Sequence, residues 1–219
     1  MTAPALPPIV PDDDAGRTEA LRVLESGGIV ALPTDTVYGL AVDLASPGGI
    51  DRLFAAKRRP SDRAVMLLLA DADQAGGLVE WPASAAALAA AFWPGGLTIV
   101  VAQRSDAALP PELTGGRSTV GLRLPDHSSP RALAASLGPL PVTSANVSGL
   151  PEASDAGEIR DQLGEAIDLI LDGGPARGGP PSTVVDCSGP TPRILRAGGI
   201  GADAIRRTLV QAGLPEPER

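Results

Sequence analysis

The chain has a single cysteine, Cys187, and a single histidine, His127. One cysteine excludes any intrachain disulfide and fits a reducing compartment. One Cys and one His exclude a Cys/His zinc site, and a Cys–His catalytic pair would need exactly these two, which nothing in the sequence joins. Cys187 therefore reads as a buried structural residue and His127, in PDHS, as a turn residue. Aromatics are only 2% of 219 residues, so the core must be built from Leu, Val, Ile and Ala, and a base-stacking RNA surface is disfavoured. Lysine is hardly used. A net charge of −8 and a pI near 4.6 argue against nucleic-acid binding by the whole surface, and they make local cation clusters stand out. No run approaches the roughly 18 uninterrupted apolar residues of a membrane span, and MTAPALPPIVP carries neither a positive n-region nor a long apolar core. A cytoplasmic protein without a membrane segment is expected. The common phosphate loops are also missing: there is no GxxxxGK[ST], no GxGxxG between strand and helix, and no GxSxG elbow.

What is present centres on Ile29–Arg59. An apolar run from Ile29 to Leu32 stops at Pro33, a turn rich in hydroxyls follows, and a second apolar run spans Leu40–Leu44. Ser46-Pro47 reads as an N-cap with proline at the first helical position. Ile50, Leu53, Phe54 and Lys57 recur at helical spacing, which delivers the last turn to Lys57, Arg58, Arg59 and Arg63. Elsewhere, Asp12–Asp14 predicts the cap of a helix ending at Gly27-Gly28, Val65–Leu69 a buried strand, and 72–79 and 83–92 two Ala-rich helices. Strands are expected near 97–101, 119–124, 141–146, 167–171, 182–186 and 193–196. Further helices are expected from Ser129-Pro130 to Gly138, near 156–164 and over 202–212. Residues 104–118 read as a loop rich in Gly, Pro and polar groups, a candidate lid. The predicted organisation is a Pro-rich tail (1–11), one α/β domain (12–213) around a mixed, twisted sheet, and a short C-terminal tail (214–219).

Four stretches place small polar groups or arginines just past an apolar run: Thr34–Tyr38, Lys57–Arg63, Thr143–Ser148 and Ser182-Thr183, with Arg123 and Arg196 on strands nearby. Ligands of open α/β folds gather at strand ends, and hydroxyls, lysine and the arginine fork suit phosphate or carboxylate. Singly, each stretch has a plain structural reading: KRRPSDR as a helix end favoured by the dipole, SANVSG as a turn, Arg123 as a residue on the solvent face.

Taken together, GGIVALPTDTVYGLAVD, FAAKRRPSD, FWPGGLTIVV, STVGLRLPDH, PVTSANVSG, DLILDGGP, STVVD and RILRAGGI resemble, in order, the segments of the YrdC-like family of threonylcarbamoyl-AMP synthases, in its short, single-domain form. The resemblance implies a twisted mixed sheet with flanking helices around a positively lined cleft. It also implies condensation of L-threonine, bicarbonate and ATP to threonylcarbamoyl-AMP and pyrophosphate, with Mg2+ on the phosphates. Partner proteins would then pass the group to tRNA. Carried over by position, Thr36, Arg123, Asn146 and Ser182 would bind threonine, and Lys57, Arg59, Thr119, Ser144 and Arg196 would bind ATP, with no protein nucleophile and no metal ligand from the chain. The chain departs from the family pattern at Ser61–Val65, at Leu68 where relatives carry a histidine, at Gly96, at Gly179–Pro181 and at Ala197. These departures leave room for a paralogue of the same fold that binds double-stranded RNA or tRNA, or that acts on another carbamoyl-adenylate.

Overall fold

The sheet runs β1-β8-β2-β3-β7-β4-β6-β5-β9-β10 in one continuous order. In the computed structural model, which describes residues 6–58, 64–107, 109–177 and 179–218, the chain passes through β1 (Ile9–Pro11), α1 (Asp14–Glu25), β2 (Val30–Leu32), β3 (Gly39–Ala41), α2 (Gly49–Ala56), β4 (Met66–Leu68), α3 (Ala83–Phe92) and β5 (Leu97–Ala102). It continues through α4 (Pro111–Thr114), β6 (Thr119–Arg123), α5 (Ser128–Leu137), β7 (Leu140–Ser144), α6 (Ala156–Leu163), β8 (Leu169–Asp172), β9 (Thr183–Asp186), β10 (Arg193–Arg196) and α7 (Ala202–Gln211). Pairs β1–β8, β2–β8, β4–β6 and β5–β9 are parallel and the others antiparallel, so the sheet is mixed, as expected. No helix among the described residues is long and apolar enough to cross a membrane.

Helices cover the two faces unequally. One apolar layer joins Ile50, Leu53 and Phe54 of α2, Leu88 of α3, Ile159 of α6 and Leu209 of α7 to the inward residues of β5, β6 and β9. The other joins Ala20 and Leu24 of α1 and Leu133 of α5 to Val30, Leu32, Leu140, Val142 and Leu169. Because α5 packs on β7 and β4 and nothing described continues past them on that side, the same face of β6, β5 and β9 stays open. Side chains alternate along a strand. In these three strands Leu97, Ile99, Val101, Val120, Leu122 and Val185 turn to the core, while Thr98, Val100, Thr119, Gly121, Arg123 and Val184, with Ser182 just before β9, floor an open cleft.

Several local expectations change. Residues 1–11 are not all tail: Ile9–Pro11 pair with Ile170–Asp172, covering the edge of β8, and Pro11 is tolerated because an edge strand does not need its N–H. Of the expected 214–219 tail, the described residues 214–218 return to the other edge, where Ile194 N donates to Glu218 O at 2.9 Å and Glu218 N to Pro192 O at 2.8 Å. Ser46-Pro47 does not cap α2. The chain turns there, with Gly49 N on Ser46 O, and Gly48 (φ 68°) is the N-cap without a side-chain bond. Asp13, by contrast, caps α1 through Gly16 N at 2.8 Å, and Gly27 (φ 85°) closes it. The 72–79 helix shrinks to one 3-10 turn, Ala72–Ala75, ahead of Gly76-Gly77. The candidate lid 104–118 carries α4 and is pinned at its centre: Leu113 is fully buried and its carbonyl accepts from Val65 N at 2.8 Å. His127 proves to be the N-cap of α5, its Nδ1 accepting from Ser129 N at 3.3 Å. Cys187 is buried, and burial pushes its thiol up to about 11, so it is the structural residue expected.

Candidate active site

The open face becomes the floor of a cleft of about 560 Å³. Its floor is set by register. Val100 pairs with Gly121 on one side and Asp186 on the other, and Asp186 pairs with Arg193. Thr98 pairs with Val184, which faces Arg196. A β-bulge lies between Ile194 and Arg196, so the bend turns Arg196 back over β9.

The Thr34–Tyr38 turn forms one wall. Thr34 Oγ1 donates to Val37 O at 2.7 Å and accepts from Thr36 N at 3.1 Å, a side chain standing in for a backbone turn. Arg123 is 3% exposed and reaches this turn from β6. Nε donates to Gly95 O at 3.0 Å, one terminal nitrogen to Thr36 Oγ1 at 2.9 Å and the other to Asp35 Oδ1 at 2.6 Å. Burial lowers its pKa, Asp35 opposes that shift, and the charge of Arg196 adds to it. Arginine remains a cation here, with one N–H left on each terminal nitrogen. Tyr38 ties the turn to the loop after β8. Its hydroxyl donates to Gly174 O at 2.6 Å and accepts from Gly173 N at 3.0 Å, and burial, then the nearby Asp172 carboxylate, pushes it up to about 12.

On the opposite wall, Ser144 Oγ donates to Asn146 Oδ1 at 2.7 Å, and Asn146 Nδ2 donates to Leu150 O at 2.7 Å. Lys57, the only lysine of the chain, lies behind this wall and is 2% exposed. Its ammonium donates to Ser144 O, to Asn146 O at 2.6 Å and to Asn146 Oδ1 at 3.2 Å. At the far side Ser182 Oγ sits 2.8 Å from Thr98 Oγ1, and Arg196 donates to Ser182 O from Nε (3.1 Å) and to Ser182 Oγ (2.9 Å). Burial lowers the pKa of Arg196, and the Glu152 carboxylate opposes the shift.

Six of the nine sequence-predicted residues thus line one cleft: Thr36, Thr119, Arg123, Ser144, Ser182 and Arg196. Lys57 and Asn146 do not. They brace the turn that presents Ser144, which corrects the expectation that the Lys57 ammonium stands in the cleft. Arg59, with Arg63, lies outside the described residues. Leu68, in register with Arg123, lines the cleft as an apolar residue where the resemblance implied a histidine. Sequence reading passed over Asp35, the partner of Arg123, and also Arg117, Glu152, Asp186 and Arg193, which line the cleft. The alternation in TVGLR and LTIVVA was the available signal for the floor, whereas nothing in sequence joined Asp35 to a strand 88 residues away.

An uncovered α/β sheet face bearing arginines and hydroxyls, with a buried arginine fork at one end, defines a binding cleft for an anionic metabolite of nucleotide size. The Sua5/YciO/YrdC family model, described as "Telomere recombination", matches residues 22–198, and the chain belongs to that family. It is 41% identical over 201 residues to a putative threonylcarbamoyl-AMP synthase of Mycobacterium leprae, covering 91% of this chain and 90% of that one. It is 37% identical to the threonylcarbamoyl-AMP synthase of Bacillus subtilis, covering 90% of this chain and 57% of the relative. Among solved structures, Pyrococcus abyssi Sua5 complexed with L-threonine superposes with a TM-score of 0.86 at 32% identity, covering 96% of this chain and 61% of that one. Escherichia coli YciO superposes at 0.81 with 26% identity, covering 91% and 99%.

Proposed function

We propose that this protein is an L-threonylcarbamoyladenylate synthase, a nucleotidyltransferase that condenses L-threonine, bicarbonate and ATP to threonylcarbamoyl-AMP and pyrophosphate. The observation that carries the reading is the cleft itself: the arginine fork held by Asp35 and Thr36 shares one floor with Thr119, Ser182 and Arg196, opposite Ser144. Relatives that align over nine-tenths of their length bear the synthase name, and a structural neighbour holds L-threonine.

In this reading Arg123 takes the threonine carboxylate on its two remaining N–H groups, with Thr36 and Ser182 beside it. Leu68 offers a methyl surface, which suits the substrate's own methyl group. Thr119, Ser144 and Arg196 hold the nucleotide, with Arg59 on its phosphates. Asn146 and Lys57 act from behind the wall by fixing the turn. The threonine amine attacks bicarbonate, giving a carbamate and water. A carbamate oxygen then bonds to the α-phosphorus as the α–β bridge breaks, and its electron pair leaves with pyrophosphate. The protein lends no nucleophile: orientation and cationic stabilisation of the phosphates supply the catalysis. Magnesium enters this scheme with the phosphates, as part of the MgATP substrate. The product, a reactive mixed anhydride, is consumed in the cytoplasm by proteins that transfer the threonylcarbamoyl group to tRNA.

The test is pyrophosphate release by the purified protein given ATP, bicarbonate and magnesium, with and without L-threonine. Release that requires threonine and collapses in Arg123→Ala is expected. Release indifferent to threonine, or none while ATP still binds, would leave the paralogue as the better account and point to Leu68 as the change that altered the substrate.

A further inference from the structure

Four described arginines line the cleft, and three of them are already engaged. Arg123 is paired with Asp35 at 2.6 Å and Arg193 with Asp186 at 3.1 Å. Arg196 is bound to Ser182 and faces the Glu152 carboxylate. The side chain of Arg117 makes no hydrogen bond or ion pair with any described residue. It stands exposed at the cleft with its charge unmatched.

Its backbone setting is distinct. Leu113 anchors the chain on one side through Val65 N, and Gln103 N fixes Ser118 O at 2.9 Å on the other. Between these points lie Gly115 (φ 60°) and Gly116 (φ 73°), both in the left-handed region open mainly to glycine. Arg117 therefore sits on the turn that closes α4, where Gly116 N donates to Pro111 O at 3.0 Å and Arg117 N to Thr114 O at 3.3 Å, and its side chain extends from this held backbone. Arg117, Thr119, Gly121 and Arg123 follow one another at alternate positions and all line the cleft. At about 3.3 Å per residue, Arg117 and Arg123 stand roughly 20 Å apart along this line. The β4–β6 register pairs Leu67 with Leu122 and Leu68 with Arg123, so its continuation brings Ala64 alongside Thr119. Arg117 and Ala64 thus mark the end of the cleft opposite Arg123, the end left for the polyphosphate when Arg123 takes the threonine carboxylate.

We infer that Arg117 binds the β- and γ-phosphates of the nucleotide and stabilises pyrophosphate as it leaves. This rests on the synthase reading for the reaction step, though not for binding of a polyphosphate. As the α–β bridge breaks, negative charge builds on the departing pyrophosphate. An arginine with no internal partner can follow that charge without first breaking an ion pair, as Arg193 would have to do at the surface and Arg123 in the interior. Its long exposed side chain can reach the triphosphate and withdraw with the product while the backbone turn stays in place.

The experiment compares Arg117→Gln and Arg117→Lys with the parent protein. Because the residue is exposed and unbonded, Tm should stay within about 1 °C. Arg117→Gln should raise the ATP KM about tenfold and weaken binding of inorganic pyrophosphate by a similar factor, the worth of one charge-assisted hydrogen bond at an open site. The threonine KM should change less than twofold, and Arg117→Lys should recover part of the loss. Unchanged ATP KM and pyrophosphate affinity, or a rise confined to the threonine KM, would overturn the assignment. If the parent protein released no pyrophosphate, the synthase reading would fail, and the pyrophosphate-binding comparison would still decide the role of Arg117.

Discussion

Replacing Lys57 by methionine separates two roles that one residue can be given. The methionine stem nearly fills the lysine hole, so the change removes the ammonium, takes from Asn146 O its donor among the described residues, and leaves Ser144 O only Asn146 N and Asn146 Oδ1 only Ser144 Oγ. Hydrogen bonds to a charged group contribute about 1.5–3 kcal/mol each. Several kcal/mol of that gross sum is offset because the unfolded chain no longer has to dehydrate an ammonium. A net loss of about 3 kcal/mol is expected. For a domain of this length each kcal/mol shifts Tm by about 2–4 °C, so the variant should melt roughly 6–12 °C lower. A thermal melt with and without ATP, together with initial rates of pyrophosphate release well below the new Tm, reads both quantities. If Lys57 braces the turn, stability falls by this amount, while activity at low temperature declines through looser placement of Ser144. A Tm within about 2 °C of the parent combined with abolished turnover would refute the reasoning and return the ammonium to the phosphates.

Three other outcomes follow. Asp35→Asn keeps the shape beside Arg123 but leaves its buried charge without a counterion, and it should raise the threonine KM at least tenfold while the ATP KM stays within twofold; equal changes in both would show Asp35 to be general scaffolding. Burial, with Arg177 and Arg17 nearby and against Asp12 and Asp35, holds the His127 imidazole below its ordinary 6.5. The folded state then binds fewer protons than the unfolded one, so this contribution is intact above pH 6.5 and is lost as pH falls through the folded value. Tm measured against pH for His127→Asn, which keeps a capping acceptor, should therefore fall less steeply below that point than in the parent, and parallel curves would count against it. A methyl group at Gly198 would lie 2.2 Å from Pro181 O and 2.4 Å from Thr183 N, so Gly198→Ala must push β10 away from Ser182; a KM for either substrate unchanged in that variant would mean that Arg196 is not needed where it stands.

The strands, the mixed sheet and most helices were legible because their signals are local: apolar runs, period-two alternation, capping residues and glycine stops. The corrections arise where a remote partner decides. Ile9–Pro11 is a strand only because β8 offers an edge 161 residues later, and Glu218 is held only because β10 offers the opposite edge. Ser46-Pro47 carries a sound capping pattern, yet the chain needs one more turn before α2 can lay Ile50 and Leu53 on the core. Lys57 shows how a pattern can be read one step short. At the next position of the stripe Ile50–Leu53–Phe54 it points where the stripe points, into the protein, so the periodicity that found the helix also indicated burial. Arg123 and Thr36 were assigned through resemblance. Asp35, one residue from Thr36, was missed because only the fold shows that a side chain from the first wall closes on β6.

The division of the cleft among distant parts of the chain has a consequence for how the protein is made. Thr36 stands in the first fifth of the sequence, Arg123 and Ser144 near its middle, and Ser182 and Arg196 are among the last strand residues to be synthesised. The floor is also joined through β5–β9, a parallel pair between segments more than 80 residues apart. Such long closures form late in folding. A nascent or truncated chain lacking β9 and β10 would have neither the Thr98–Ser182–Arg196 linkage nor the floor beside it. The cleft is therefore complete only at the end of folding, after the last two strands have joined the sheet.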